Sequence, residues 1–188
     1  MYIDITHSPM VNVEHRTVEL VERKGLGHPD TLCDRAAEEL SIALSGYYRE
    51  HFGAILHHNT DKVLLVGGRT HVTFGAGEML DPMYLLLSGR ATLSAQGRAV
   101  PVGSLATGHT AAWLRETLPY VQLPNDVIID YRIQPSSPDL ISIFSQPGVP
   151  LANDTSMAVA FAPFSELERI VRSVEEHLNS SQIKARFP

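Results

Sequence analysis

The stretch Gly25-Leu26-Gly27-His28-Pro29-Asp30-Thr31 separates two patterns of different period and decides how the first part of the chain folds. Before it, residues 16–24 alternate and carry β-branched side chains, which predicts a half-buried strand. After it, apolar residues recur every three or four positions to about Arg49, which predicts an amphipathic helix that Gly53 ends. The proline and the polar side chains suit the first turn of that helix. The stretch therefore predicts a strand-to-helix junction.

Further along the chain, strands and helices alternate without the even spacing of a parallel βαβ series. Strands are predicted over residues 54–67, 70–74, 83–87, 126–133 and 156–162, and a loop rich in glutamine, proline and serine over 134–138. Helices are predicted over 102–118 and from Ser165, which has a capping-box spacing with Glu168, to Leu178. The pattern favours the α+β class, in two sheet-plus-helix units that span residues 1–120 and 121–188, the second of them incomplete.

The amino-acid composition is typical of a globular protein and excludes several other classes of protein. The 188 residues carry 15 Lys and Arg against 21 Asp and Glu, a formal charge of −6, and 44% are hydrophobic. This balance is too apolar for a disordered chain and too acidic for a surface that binds nucleic acid. Cys33 is the one cysteine, so no intramolecular disulfide can form. No apolar run reaches membrane-spanning length and no secretory signal is visible, so we expect a cytoplasmic protein.

The strand-to-helix junction carries the residues best suited to phosphate chemistry. Gly25 and Gly27 would let the backbone approach a ligand, and the helix end that follows presents free amides and partial positive charge. His28 could donate to a phosphate, and Asp30 could bind Mg²⁺, which prefers oxygen ligands. In the simpler interpretation, the glycines only turn the chain while His28 and Asp30 cap a helix. Spacing alone favours the simpler interpretation.

Longer motifs carry a resemblance to a known family. They include His57-His58-Asn59-Thr60-Asp61-Lys62, Phe74-Gly75-Ala76-Gly77-Glu78 and Asn153-Asp154-Thr155-Ser156, together with residues 22–30, 62–68, 89–92, 128–132 and 149–152. In order and spacing these segments resemble the archaeal-type methionine adenosyltransferases, the S-adenosylmethionine synthetases. The resemblance runs from near residue 15 to the end of the chain. It implies mixed sheets with helices packed on one face, and dimers that pack sheet against sheet with active sites between subunits.

The resemblance also implies a reaction and a set of site residues. Methionine sulfur attacks C5′ of ATP, and the triphosphate leaves and is then hydrolysed. The implied catalytic residues are His28, Asp30 and Lys62, with Gly25, Gly27 and His28 at the phosphates and Asp30 and Asp154 at Mg²⁺. The implied substrate contacts are Glu78 for methionine, and His58, Asp61, Asp139, Asn153 and Asp154 around the nucleotide. Potassium is a further ion on which members of the family commonly depend.

Each implied role has a structural alternative. The segment His57-His58-Asn59 could cap a turn before a strand, and Lys62 could be a strand-edge charge that discourages aggregation. Glu78 could be a surface residue after a tight turn, and Asp139 and Asp154 could be solvated loop acids. Cys33 lies on the apolar face of the predicted helix, which favours a core position over a reactive one.

Two departures from the family bear on function. In the loop over residues 134–138, relatives usually carry glycines near Gln134 and Ser136, and this chain has an added proline, which together restrict the backbone. Family members are about twice as long, and their second half carries further cations for the triphosphate. We therefore weigh three functions: the N-terminal half of a methionine adenosyltransferase, as a homodimer or with a C-terminal-half partner; a binder of S-adenosylmethionine that regulates a full-length relative; and an enzyme of specialised metabolism that uses S-adenosylmethionine.

Overall fold

A computed structural model describes residues 3–7, 12–144 and 161–186 of the chain. These residues fall into two compact units, one that combines Met1–Gly25 with Met157–Pro188 and one that spans Leu26–Ser156. The described part of the second unit, the larger one, contains a sheet, two short hairpins and three helices. The boundary predicted at residue 120 stays a prediction, and β-strands from both sides of that position share the sheet described below.

The predicted first helix, α1 (Pro29–Phe52), begins at the junction and ends at Gly53 as expected. His28 is its N-cap, where the side chain accepts a hydrogen bond from the Asp30 amide, and Pro29 occupies the first turn. Gly53 has a φ of 77°, a left-handed conformation that glycine adopts without steric cost. The buried side of the helix is its apolar stripe, formed by Leu32, Ala36, Leu40, Ala43, Leu44 and Tyr48.

The main sheet has three strands in the order β1 (His58–Val66), β4 (Met83–Ala91) and β7 (Val127–Pro135). Strands β1 and β4 are antiparallel, whereas β4 and β7 are parallel. A parallel pair needs a crossover connection, which α2 (Val102–Thr117) provides. The α+β class with a mixed sheet is therefore confirmed.

Helices α1 and α2 pack on one face of this sheet. Their buried residues form a single cluster with Leu85, Leu87, Val127 and Ile133 of the strands. We call this the inner face. The opposite, outer face carries exposed apolar side chains at one end, namely Leu64, Val66 and Ile128. Because successive side chains of a strand alternate between faces, the polar residues that precede them in β1 occupy the other end of the outer face.

A β-bulge interrupts the pairing of β1 with β4. Asn59 lies opposite Arg90 and Lys62 opposite Ser88, so Thr60 and Asp61 together face Gly89. The extra residue places Asp61 and Lys62 consecutively on the exposed side, whereas Thr60 is buried.

Shorter elements make up the rest of the described structure. Strands β2 (Arg69–Thr73) and β3 (Ala76–Asp81) form an exposed hairpin, and β5 (Ser94–Ala95) with β6 (Arg98–Ala99) forms a smaller one. Helix α3 (Pro138–Phe144) follows β7. In the smaller unit, α4 (Glu166–Leu178) has the predicted capping box at Ser165 and precedes α5 (Ser181–Arg186). No helix among the described residues combines the length and apolar character needed to cross a membrane.

Several predicted elements differ from the structure. Residues 16–24 are not a strand, because within the described chain no strand pairs with them and Val18 and Leu20 are exposed. The segment instead contacts α4, where Arg23 pairs with Glu175 at 3.2 Å. The predicted loop over 134–138 is wrong for its first two residues, because β7 continues through Pro135 along β4. Strand β1 starts at His58 and not at residue 54. The strand predicted over 156–162 lies largely outside the described residues, and residues 161–162 are not part of a strand.

Candidate functional site

The predicted phosphate and metal residues His28 and Asp30 lie at the start of α1. Nδ1 of His28 accepts a hydrogen bond from the Asp30 amide at 3.1 Å. A ring nitrogen that accepts from an N–H carries no proton, so the neutral imidazole has its proton on Nε2. Helix capping and phosphate donation are therefore compatible, because they use different nitrogens of His28.

The predicted phosphate-binding glycines differ in what surrounds them. A Cβ at Gly25 would meet nothing within 4 Å, and one at Gly27 would make an ordinary contact of 3.6 Å with Leu118. Neither glycine has the positive φ that would exclude other residues. Their role at a phosphate stays a prediction.

His58, a predicted substrate contact, has both ring nitrogens bound within the protein. Nδ1 lies 2.9 Å from the Leu56 carbonyl oxygen, which can only accept, so Nδ1 carries the proton. Nε2 then accepts from the Ser41 hydroxyl, also at 2.9 Å. This half-buried side chain holds the start of β1 against α1 and has no hydrogen-bonding nitrogen left for a ligand.

A cavity of about 450 Å³ lies over the polar end of the outer sheet face. It brings together the predicted residues Asp61 and Lys62 with several that the sequence analysis did not single out for function. The lining residues are His57, Asn59, Asp61, Lys62, Ser88, Gly89, Arg90, Arg132, Gln134 and Leu140. Three cationic side chains therefore surround one carboxylate, which suits an anionic ligand.

The cations of this cavity are held by short polar contacts. Lys62 pairs with Asp61 at 2.5 Å, and Arg132 pairs at 3.0 Å with Asp130, a neighbour on β7. Arg90 donates to the Pro135 carbonyl at 2.9 Å. A hydrogen bond from the Tyr84 hydroxyl, at 2.7 Å, is the main reason that the pKa of Asp130 is lowered.

A second cavity of about 450 Å³ lies between the start of β1, α1 and α3. His57, Asn59, Asp61 and Leu140 line both cavities. Burial, with a smaller effect from neighbouring His58, lowers the pKa of His57. The sequence analysis assigned a substrate contact to His58 and none to His57, because the two are adjacent and only their contacts distinguish them.

The remaining predicted residues lie elsewhere. Glu78 is exposed on β3, opposite His71 in the hairpin. Asp139 is exposed in the first turn of α3, next to Leu140 of the two cavities. Asn153 and Asp154 lie outside the described residues.

Two groups of predicted residues lie on opposite sides of the main sheet. Cys33, near the start of α1, contacts the backbone of Leu65, whereas Ser41 contacts His58 at the other end of the strand. Helix α1 therefore runs along β1 on the inner face, with His28 and Asp30 towards the Leu65 end of the strand. Asp61 and Lys62 are in the middle of β1 and line the cavity on the outer face.

The described residues hold no ready-made metal centre. No three His, Cys, Asp or Glu side chains lie close enough together within them to bind an ion. Asp30, exposed at a helix start, fits Mg²⁺ as a single carboxylate ligand, since protein-bound Mg²⁺ commonly combines one or two carboxylates with substrate phosphates.

Comparison with known proteins identifies the family. The profile described as S-adenosylmethionine synthetase (AdoMet synthetase) matches residues 1–188. The chain is 50% identical to the S-adenosylmethionine synthase of Aeropyrum pernix, covering 96% of this chain and 46% of that protein. It is 44% identical to those of Saccharolobus islandicus and Saccharolobus solfataricus, covering 99% of this chain and 47% of each. The chain spans about half the length of the curated relatives it matches, and it belongs to the S-adenosylmethionine synthetase family.

Proposed function

We propose that this chain acts as the N-terminal half of a methionine adenosyltransferase, which forms S-adenosylmethionine from ATP and methionine in the cytoplasm. The observation that carries the proposal is the family match along residues 1–188 with retention of the Gly-His-Pro-Asp element. In this reaction the methionine sulfur forms a bond to C5′ of ATP while the bond from C5′ to the triphosphate breaks, and water then cleaves the triphosphate.

The chain's contribution to this displacement is alignment and charge neutralisation rather than nucleophilic attack. His28 would donate from Nε2 to the leaving triphosphate while its Nδ1 holds the start of α1. Asp30 would hold Mg²⁺, which neutralises phosphate charge when bound. Lys62 and Asp61, with Arg90 and Arg132, would bind the polar parts of the substrates at the outer face. Glu78 is the proposed methionine contact; Gly25, Gly27, Asp139, Asn153 and Asp154 keep their proposed substrate or metal roles.

The placement of these residues favours a site completed by a second chain. His28 and Asp30 lie at the start of α1, which packs on the inner face, whereas Asp61 and Lys62 line a cavity on the outer face, so the sheet separates the two groups within one copy. The apolar end of the outer face, with Leu64, Val66 and Ile128, is available for packing against another sheet. We propose a homodimer through this face, or pairing with a chain equivalent to the second half of the relatives. Potassium dependence stays a proposal.

The test is reconstitution. The purified chain is mixed with ATP, methionine and Mg²⁺, alone and with the separately expressed second half of the Aeropyrum pernix relative. We expect S-adenosylmethionine and triphosphate products in the second mixture, with Asp30→Ala lowering the rate at least about 100-fold. His109→Gln, at an exposed position on α2, is the matched control and should retain the rate.

Absence of product from both mixtures, when each chain is folded, would contradict the proposal. Calorimetric binding of S-adenosylmethionine without turnover would instead support the regulatory function.

A further inference from the structure

His57 and Ser136 form a contact that neither the sequence analysis nor the family match assigns to any function. Nδ1 of His57 lies 2.7 Å from Oγ of Ser136, which is buried. Ser136 immediately follows β7, and its amide donates to the Ala91 carbonyl at 3.0 Å. The hydroxyl is therefore held in place by the backbone of the main sheet.

The direction of this hydrogen bond follows from the other partners of both groups. The Ser136 hydroxyl also has a donor contact with the His57 carbonyl oxygen, at 3.4 Å, which is much longer than the 2.7 Å to Nδ1. That carbonyl already accepts from the amide and the hydroxyl of Thr92, each at 3.0 Å. A carbonyl oxygen has two lone pairs, and Thr92 occupies both. The Ser136 proton is therefore directed to Nδ1 of His57.

A neutral imidazole that accepts at Nδ1 carries its proton on Nε2. Within the described residues Nε2 of His57 has no hydrogen-bond partner, and the side chain lines both cavities. Its backbone is also anchored, because Thr92, which holds the His57 carbonyl, accepts from the Tyr48 hydroxyl at 2.9 Å. His57 is thus a fixed hydrogen-bond donor beside a cationic cavity, whereas His58 has no nitrogen left to offer.

We propose that His57 binds the nucleotide by donating from Nε2 to an acceptor oxygen of ATP, and that Ser136 is the positioning residue that fixes this tautomer. Arg90, Arg132 and Lys62 favour an anionic ligand in the adjoining cavity, and polyphosphate oxygens are acceptors that carry negative charge. The inference rests on the proposed function, because that function supplies ATP as the ligand.

The first test identifies the tautomer of His57 in the absence of any ligand. Long-range ¹H–¹⁵N couplings of the histidine-labelled chain at pH 7.5 distinguish a proton on Nε2 from one on Nδ1. We expect His57 in the Nε2–H form and His58 in the Nδ1–H form, and Ser136→Ala to convert His57 into a mixture of forms. His57 in the Nδ1–H form, or unchanged in Ser136→Ala, would overturn the assignment.

The second test reads ATP binding, with Mg²⁺ present, by calorimetry on the same chain. A glutamine amide nitrogen reaches the position of Nε2, whereas an asparagine reaches only that of Nδ1. His57→Gln should therefore keep the Kd within about threefold, whereas His57→Asn and Ser136→Ala should weaken it about tenfold or more. His109→Gln should leave it unchanged. If His57→Asn binds ATP with the same affinity as the parent chain, or if the parent chain does not bind ATP, the proposed role of His57 in ATP binding is overturned.

The two proposals fail separately. If reconstituted S-adenosylmethionine formation shows the same KM for ATP in His57→Asn as in the parent, the inference fails and the proposed function stands. If ATP binding depends on His57 as described but no product forms, the proposed function fails and the inference stands.

Discussion

At the scale of single residues, Thr110 shows the energetic cost of burying a polar group without a partner. Its side chain is fully buried in α2, and within the described residues its hydroxyl makes no hydrogen bond. Removing such a hydroxyl while keeping the shape of the side chain avoids a desolvation cost. We expect Thr110→Val to raise the free energy of unfolding by up to about 1 kcal/mol, measured by urea denaturation.

Thr107→Val is the matched control for Thr110→Val, because the Thr107 hydroxyl donates to the Gly103 carbonyl at 3.0 Å. This variant loses a hydrogen bond, so it should not be stabilised. A clear loss of stability in Thr110→Val would show that its hydroxyl has a partner in solution.

His57, immediately before β1, links protonation to stability. The pKa of His57 is lowered from its ordinary value of 6.5, chiefly by burial, so the unfolded chain binds the proton more readily than the folded chain. The folded chain favours neutral His57, and the resulting stabilisation is complete above pH 6.5. It is lost as the pH falls through the lowered pKa of His57. We expect the urea concentration at the unfolding midpoint to decrease when the pH is lowered from 7.5 to 5.5. The decrease should be smaller in His57→Gln.

His109→Gln should retain the pH dependence of the parent chain, since His109 is exposed. An identical pH dependence in His57→Gln would contradict the assignment of the effect to His57.

The adjacent histidines His57 and His58 show how far the residues of the candidate site could be predicted. The motif located the segment, and the structure places Asp61 and Lys62 of that segment at a cavity. The motif could not separate His57 from His58, because their difference depends on Leu56, Ser41 and Ser136, which lie on three different parts of the chain. Arg90 and Arg132 were not predicted as site residues, because their positions depend on strand register.

At the scale of elements, Gly89 is required by the bulge that it faces. Its φ is 154°, and a Cβ there would lie 2.2 Å from the Asn59 carbonyl oxygen and 2.9 Å from Cα of Thr60. Both contacts are with backbone and cannot be relieved by a side-chain rotation. We expect Gly89→Ala to lower the free energy of unfolding by at least about 2 kcal/mol in urea denaturation.

Gly108 on α2 provides the control for Gly89, because a Cβ there would meet nothing within 4 Å. Gly108→Ala should stabilise the helix by roughly 0.5–1 kcal/mol. If Gly89→Ala is as stable as the parent, β1 and β4 do not pair as described.

The helices were predicted more accurately than the strands. Local signals decide a helix: His28 and Pro29 begin α1, Gly53 ends it, and Ser165 begins α4. A strand also needs a partner, which the local pattern does not contain. Residues 16–24 alternate as a strand does, yet no described strand pairs with them.

At the scale of the whole molecule, the exposed apolar end of the outer face favours self-association. Leu64 is 55% exposed and Val66 50% exposed in the single chain. If two copies pack through this face, a charge at its centre must be buried without a partner, which is costly. We expect sedimentation velocity to show a dimer for the parent chain and a monomer for Leu64→Glu.

Ile42→Glu is the control, because Ile42 on α1 is similarly exposed, at 50%, but does not belong to the sheet. It should remain dimeric. A parent chain that stays monomeric at high concentration, or a dimeric Leu64→Glu, would contradict packing through the outer face.

The two-for-one pairing at the β1 bulge can be understood as a one-residue insertion. Shortening the bulge by either Thr60 or Asp61 would restore regular pairing opposite Gly89 and leave Val63 to Val66 facing as they do now. The register of Val63 to Val66 with β4 therefore does not require the extra residue. A deletion at the bulge would therefore change which β1 side chains face the cavity while Val63 to Val66 keep their register with β4.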